Sequence, residues 1–589
     1  MKRPKNWRFL LKKKPIILFS IVILVQIFFA NNICSQEVNP TFNLEDRFHP
    51  VTSRNGMVAT QEALATRAGL EVLKEGGNAI DAAVTVGFTL AVTLPRAGNL
   101  GGGGFMLIHL ADRNQNLAID YREKAPLAAT KDMFLDENGE VNQKKVKFSH
   151  LSVGVPGTVA GMIMALEKYG TISLARALKP AIELASKGYP VTEYFRDSLL
   201  LYKQVMADSP PSMDIFYKPD GSVYQEGEIL IQKDLAASLK LIAKNGKDAF
   251  YRGAIAEKIV ADMAANGGII TKADLAKYEP VIRQPVTGNY RGYELISMPP
   301  PSSGGIHLIQ ILNILERFRL GTLGHNTAQA IHLMTESMKL AYADRSKYLG
   351  DSDFVSVPIR QLTSKKYADK LRRKINYYRA TPAREIAPGN PYNLGEGNQT
   401  THYSVIDRSG NAVANTYTLN FNYGTGITVP GTGILLNNEM DDFVAKPGIP
   451  NDYGLIGGAA NAIAPEKRML SSMTPTIVLK DNQPFLITGS PGGSKIITTV
   501  VQIITNVIDY KMNVAEATNA VRFHHQWFPD RLEIEQDLNG DTIRLLTRRG
   551  HNIVKTNAAI GSTQSIMKLG DRLYGASDPR RLDALTLGY

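Results

Sequence analysis

The stretch Asn398-Gln399-Thr400-Thr401-His402-Tyr403-Ser404 decides how this chain is read. It sets two adjacent β-hydroxyl residues at a junction between loop and strand. Upstream, Arg379 to Gln399 carries Pro382, Pro388, Gly389, Pro391, Gly395 and Gly397, a turn-rich composition. Downstream, His402–Asp407 reads as a strand. A Thr pair opening a strand is first of all ordinary β-propensity. A second reading is chemical. If the chain is cut before Thr400, that residue becomes an N-terminal hydroxyl nucleophile with its own amine as base. The local sequence allows both.

Working outward, Asp407-Arg408-Ser409-Gly410-Asn411 fits a three-residue hairpin loop with a left-handed Gly410. Pairing Asp407 with Asn411 sets Thr400 opposite Thr418, to within one residue. Side chains alternate along a strand. Ala414, Thr416, Thr418 and Asn420 therefore share one face, and Val413, Tyr417 and Leu419 the other. The polar face is either a solvated surface or a set of groups that orient Thr400. Further on, Gly489-Ser490-Pro491-Gly492-Gly493-Ser494-Lys495 follows a strand and opens a helix. Its Ser-Lys order does not match a P-loop. It is either a plain strand-to-helix turn or an anion-binding nest able to serve as an oxyanion hole.

The chain has 589 residues, enough for two lobes or one large layered domain. Its net charge of +12 is concentrated at the start. Residues 1–35 hold Lys2, Arg3, Lys5, Arg8, Lys12, Lys13 and Lys14 and no acid. Without those seven, 60 basic residues face 55 acidic ones, which gives no argument for nucleic acid. The basic run precedes the apolar Ile16–Ala30, the pattern of a secretory signal over 1–35. A membrane anchor is the alternative, although the run is shorter than the roughly 20 residues of a spanning helix. Cys34, the single cysteine, excludes an internal disulfide and leaves lipid attachment as a weak option.

Helices are expected over Gln61–Glu75, Ala79–Val92, Thr158–Lys168, Leu174–Lys187, Leu235–Asn245, Ile255–Asn266, Ala328–Tyr348, Lys495–Tyr510 and Val514–Val521. Strands are expected over Phe105–Leu110, His402–Asp407, Ala412–Asn420, Thr474–Lys480 and Pro484–Thr488. This is mixed helix and sheet, with helices packed on sheets. Gly101–Gly104 leads into a strand, so close backbone packing is expected there rather than phosphate binding. No metal-ligating spacing is evident. His524-His525 has no obvious carboxylate partner and reads as structural. No cofactor is expected, and there is no Gly-x-Ser-x-Gly elbow.

Several separated motifs then coincide: Leu94–Gly104, Asp120-Tyr121-Arg122-Glu123, Asn398–Ser404, Leu436–Phe443, Leu470-Ser471-Ser472-Met473 and Gly489–Ser494. Together they resemble the γ-glutamyltranspeptidases (glutathione hydrolases), over nearly the whole chain after the signal. The resemblance implies an α+β, four-layer αββα sandwich of the N-terminal nucleophile hydrolase type. It implies a precursor that cuts itself between Gln399 and Thr400. A large fragment, 36–399, and a small one, 400–589, would then form one heterodimeric αββα unit.

It also implies roles. Thr400 is the nucleophile, Thr418 bonds its amine and Thr416 its hydroxyl. Gly492 and Gly493 form the oxyanion hole. Arg122, Ser471 and Ser472 take the substrate α-carboxylate, while Asn420, Glu439 and Asp442 take the α-ammonium. Lys446–Gly458, with Pro447, Pro450 and Tyr453, looks like the lid over this pocket in many members; related acylases acting on cephalosporin side chains lack it. The implied partners are glutathione and other γ-glutamyl compounds, with water, amino acids or peptides as acceptors. The implied location is across the inner membrane, in the periplasm. A related acylase with another amide substrate and a secreted solute-binding protein are the alternatives.

Overall fold

Alternation along the central strands sets the layering. In Met57–Thr60, Gly103–Leu110, Thr401–Ile406 and Ala412–Thr418, one face sends Val58, Met106, Ile108, Tyr403, Val405, Val413 and Tyr417 into a first core. The other face sends Met57, Ala59, Phe105, Leu107, Ala412 and Ala414 into a second. Both faces are buried, so each strand is covered twice. Full burial of a large apolar side chain stabilises by about 1.5–3 kcal/mol.

The computed structural model describes residues 47–388, 400–446 and 459–589, so the expected signal, Gln399 and Tyr453 lie outside the described residues. Residues 48–589 form one compact unit, which resolves the choice between two lobes and one layered domain.

Two seven-stranded antiparallel sheets make the centre. One runs, in spatial order, 585–588, 57–60, 401–406, 412–418, 103–110, 115–121, 281–283. The other runs 51–53, 572–577, 564–569, 483–488, 476–480, 293–297, 286–290. The second core lies against both sheets. It also takes in the helices Gly304–Leu315, Ala328–Tyr348 and Lys495–Ile508. The first core joins the outer face of the first sheet to the helices Ala63–Lys74, Ala79–Thr93, Thr158–Tyr169 and Leu174–Lys187. The result is the four-layer αββα arrangement.

The hairpin has the expected register: Thr401 pairs with Tyr417, His402 with Thr416 and Ile406 with Ala412. Gly410 takes a φ of +88°, which glycine adopts without penalty. Asp407 closes the turn by accepting from Ser409 N (2.9 Å) and Asn411 N (3.0 Å). Its other oxygen accepts from Ala79 N at 3.0 Å, tying the hairpin to the start of a buried helix.

Several strands of the first half are not legible in the sequence, among them Met57–Thr60, Gln115–Tyr121, Val281–Arg283, Val286–Tyr290 and Tyr293–Ser297. They are short or covered on both faces, so little polar–apolar alternation survives. Gln564–Leu569, Arg572–Ser577 and Leu585–Gly588 were missed for the same reason. Among the described residues, no helix is long and apolar enough to cross a membrane.

Candidate active site

Thr400 stands immediately before the strand Thr401–Ile406, at the end of a central strand pair, and is buried. The register carries it opposite Thr418. Both line one cleft with Arg122, Asn420, Glu439, Asp442, Ser471, Ser472, Met473, Gly493 and Ile496. The cleft encloses about 210 Å³ of space that is partly open to solvent.

The Gly-rich loop sets the floor. A Cβ on Gly102 would lie 2.0 Å from the Thr418 carbonyl oxygen, so only glycine allows this approach. Asn99 fastens the contact: its Nδ2 donates to Thr418 O (2.8 Å) and its Oδ1 accepts from Gly102 N (2.9 Å). Asn420 takes a left-handed φ of +73°, which asparagine tolerates better than most residues. Its N donates to Thr418 Oγ1 at 2.8 Å and its Nδ2 to Asn438 O at 3.0 Å.

Arg122 follows the strand Gln115–Tyr121. Its own N–H is held by Asp120 Oδ1 (3.0 Å) and its carbonyl by Tyr278 OH (2.8 Å). The guanidinium is ion-paired through Nη1 with Glu439 and through Nη2 with Asp442. Nε donates to Met469 O at 3.2 Å. Burial works against the cation, but the charges of Glu439, Asp442 and Glu123 raise its pKa above the ordinary value. Glu123 lies 3.6 Å from Arg122 Nη1, with both carboxyl oxygens buried and unbonded among the described residues. Burial pushes its pKa up to about 7 against the pull of Arg122. Glu439 is likewise pushed well up by burial, opposed by Arg122.

Asparagines hold the two acids. Asn437 Oδ1 accepts from Glu439 N (3.0 Å), and its Nδ2 donates to Gly101 O (2.7 Å) and Gly154 O (2.8 Å). Asn461 Nδ2 donates to Asp442 O (2.6 Å), and its Oδ1 accepts from Leu470 N (3.0 Å). Neither had been singled out from sequence. Their signal, an amide within a motif (Asn437) or between motifs (Asn461), is too common to stand out.

Gly493 lines the cleft with φ +55°, and Gly492 precedes it with φ +132°. They form a left-handed turn leading into the helix Lys495–Ile508. Gly492 is not among the lining residues. Thr416 Oγ1 lies 2.8 Å from His402 Nδ1, and Thr416 is not among the residues that line the cleft. His402 sits directly opposite it in the hairpin. Thr401, on the opposite face from Thr400, donates to Gln61 Oε1 at 3.1 Å.

His524 and His525 are buried. His524 bonds Thr498 Oγ1 (2.8 Å) and Gln526 Oε1 (2.9 Å). His525 does have a carboxylate partner, Asp530 Oδ1 at 3.2 Å, contrary to expectation. Among the described residues, His332, Glu336 and His551 are grouped closely enough to hold a metal ion. His332 Nδ1 and His551 Nε2 are hydrogen-bonded at 2.8 Å, and Glu336 is paired with Lys339 at 2.9 Å. Burial lowers both histidine pKa values, that of His551 to about 2, where Lys339 and Arg549 also disfavour positive charge. This surrounding is hostile to a dication.

The γ-glutamyltranspeptidase family profile matches residues 65–587. The glutathione hydrolase proenzyme of Escherichia coli K12 is 56% identical over 549 residues, covering 92% of this chain and 94% of that one. The cephalosporin acylase of Bacillus halodurans superposes with a TM-score of 0.82 at 29% identity, over 95% of this chain and 99% of that one. The γ-glutamyltranspeptidase of Helicobacter pylori is 48% identical with a TM-score of 0.55, over 59% of this chain and 97% of that one. These two neighbours place the αββα core among the N-terminal nucleophile hydrolases. With a match over most of its length, the chain belongs to the γ-glutamyltranspeptidase family.

Proposed function

We propose that this protein is a self-cleaving γ-glutamyltransferase and glutathione hydrolase acting through a γ-glutamyl ester on Thr400. The reading is carried by one observation: Thr400 and the Arg122–Glu439–Asp442 ion-pair group face the same small cleft. A γ-glutamyl group bears an α-carboxylate and an α-ammonium remote from its scissile amide. When it binds, its carboxylate takes Arg122 bidentately, joined by the Ser471 and Ser472 hydroxyls. Its ammonium takes Glu439, Asp442 and Asn420. Each buried charge exchanges one partner for another, so none is stranded. A ligand with only one of the two charges would leave Arg122 or the acids unpaired, at a cost of several kcal/mol.

In maturation the Thr400 hydroxyl attacks the Gln399 carbonyl, the amide becomes an ester, and water opens it. This frees 36–399 from 400–589, and the two remain together as a heterodimer. It also turns a non-basic amide nitrogen into an amine with a pKa of roughly 7.7–8.0. That amine, held by Thr418, takes the hydroxyl proton as Thr400 attacks the γ-carbonyl of the donor. The turn at Gly492-Gly493 receives the oxyanion. The leaving amine departs, cysteinylglycine in the case of glutathione. Water or the amine of an amino acid or peptide then takes the acyl group. The basic, apolar leader at 1–35 supports export to the periplasm.

The fold is shared with a cephalosporin acylase, so an acylase with another amide substrate is the competing reading. The paired charges around Arg122 favour the γ-glutamyl group. A denaturing gel with N-terminal sequencing tests the proposal. The protein should run as two bands, the smaller of 190 residues starting at Thr400. An intact chain, or a different start, would overturn it.

A further inference from the structure

Behind the Ser471-Ser472 wall of the cleft stands a second buried guanidinium that the reaction scheme above does not use. Arg345 lies in the last turn of the helix Ala328–Tyr348, with 1% of the residue exposed. Its Nε donates to Ser303 Oγ at 2.9 Å, and its Nη2 approaches Ser472 Oγ at 3.5 Å. Ser303 in turn grips the wall: its Oγ donates to Ser471 O at 2.9 Å and its N to the same oxygen at 2.7 Å. Ser471 N donates to Pro301 O at 2.8 Å, completing a clamp between 301–303 and 471.

We infer that Arg345 is a positioning residue that fixes Ser472 as a hydrogen-bond donor toward the α-carboxylate of the substrate. The argument concerns the direction of one proton. A guanidinium has only donors, whereas a serine hydroxyl has one hydrogen and two lone pairs. Facing Arg345, Ser472 Oγ can offer only a lone pair. Its hydrogen is turned away from the cation, toward the cleft that Ser472 lines. The 3.5 Å contact is long for a hydrogen bond, yet the orientation holds because an O–H dipole pointed at a cation is repelled.

Ser471 is set the same way by a different donor. Its Oγ accepts from Met473 N at 3.1 Å, which again leaves the hydrogen for the cleft. Two adjacent hydroxyls that each already accept from an N–H are set to turn their hydrogens toward an oxyanion. Burial pushes the Arg345 pKa down to about 9, with the charges of Tyr342 and Asp442 acting against it. The group therefore stays cationic at neutral pH and adds a positive field behind the carboxylate position.

This inference rests on the γ-glutamyl reading and adds to it a cause of carboxylate selectivity. The test compares two competitive inhibitors that differ only in the α-carboxylate, L-glutamate and 4-aminobutyrate, against turnover of a γ-glutamyl anilide. Arg345→Met should raise the inhibition constant of L-glutamate about 10- to 100-fold, the range for a lost hydrogen-bond network to a charged group. That of 4-aminobutyrate should move less than about 3-fold, and Arg345→Lys should fall between wild type and Arg345→Met. Equal weakening of both inhibitors would mean a general structural role and would overturn the inference, as would no change in either. If Arg345→Met does not mature, Ser303→Ala, which removes one anchor of the guanidinium, should show the same selective loss in smaller measure. A parallel loss there would overturn it too. Wild-type protein that binds neither compound would overturn the γ-glutamyl reading itself, a result distinct from these.

Discussion

Arg122 and Glu439 are ion-paired inside the cleft, with 1% of each side chain exposed. A charge pair this buried costs more in desolvation than it returns unless every member is satisfied. The second oxygen of Glu439 is buried without a partner among the described residues. The pair is thus a weak source of stability, which fits the head-group role proposed for it.

Arg122→Lys tests this most gently, since it keeps the charge and removes the bidentate fork. kcat/KM for a γ-glutamyl anilide should fall about 30- to 100-fold, mainly through KM. Self-cleavage on a gel should persist, because Arg122 has no part in that step. Unchanged kinetics would sink the assignment of the head-group pocket.

Thr400→Ala should stay a single chain with no turnover. Thr400→Ser keeps a hydroxyl and an amine and should mature, more slowly. Band intensities over time, with mass spectrometry of the small fragment, give the answer. Activity in the alanine variant would require another nucleophile.

Glu123 gives a pH signature. Its folded pKa is raised to about 7 by burial, from an ordinary carboxyl value. A raised acid holds its proton more tightly when folded. Its contribution to stability is therefore present below the unfolded pKa and lost as pH rises toward 7. The loss is on the order of 3 kcal/mol. Glu123→Gln should flatten the fall in Tm between pH 5 and about 7; a slope identical to wild type in a thermal scan would show that Glu123 titrates normally.

Gly102→Ala places a methyl 2.0 Å from the Thr418 carbonyl. The strand or the loop must move, at a cost of about 1–3 kcal/mol or more. Thr418 would shift away from Thr400. A lower Tm together with slowed self-cleavage is expected. Normal maturation would mean that the loop yields without disturbing Thr418.

Much of the site could be read from residue order because its chemistry is written in short runs. Hairpin arithmetic from Asp407 and Asn411 put Thr418 opposite Thr400, since register follows from loop length and the period of two. The motif around Asp120–Glu123 supplied Arg122 by resemblance alone. What escaped has no local signal. Nothing near Arg345 in sequence says that it faces Ser303 and Ser472, which lie 42 and 127 positions away.

Order along the chain was enough to determine the hairpin after Thr400 and the family, because the hairpin is one contiguous run and the family is written in short motifs. Only the tertiary structure decided how the charges are shared. Burial removes water as a partner, so Arg122, Glu123, Glu439 and Asp442 must satisfy one another, and helix packing alone brings Arg345 behind the serine wall. Those pairings depend on which residues meet in three dimensions.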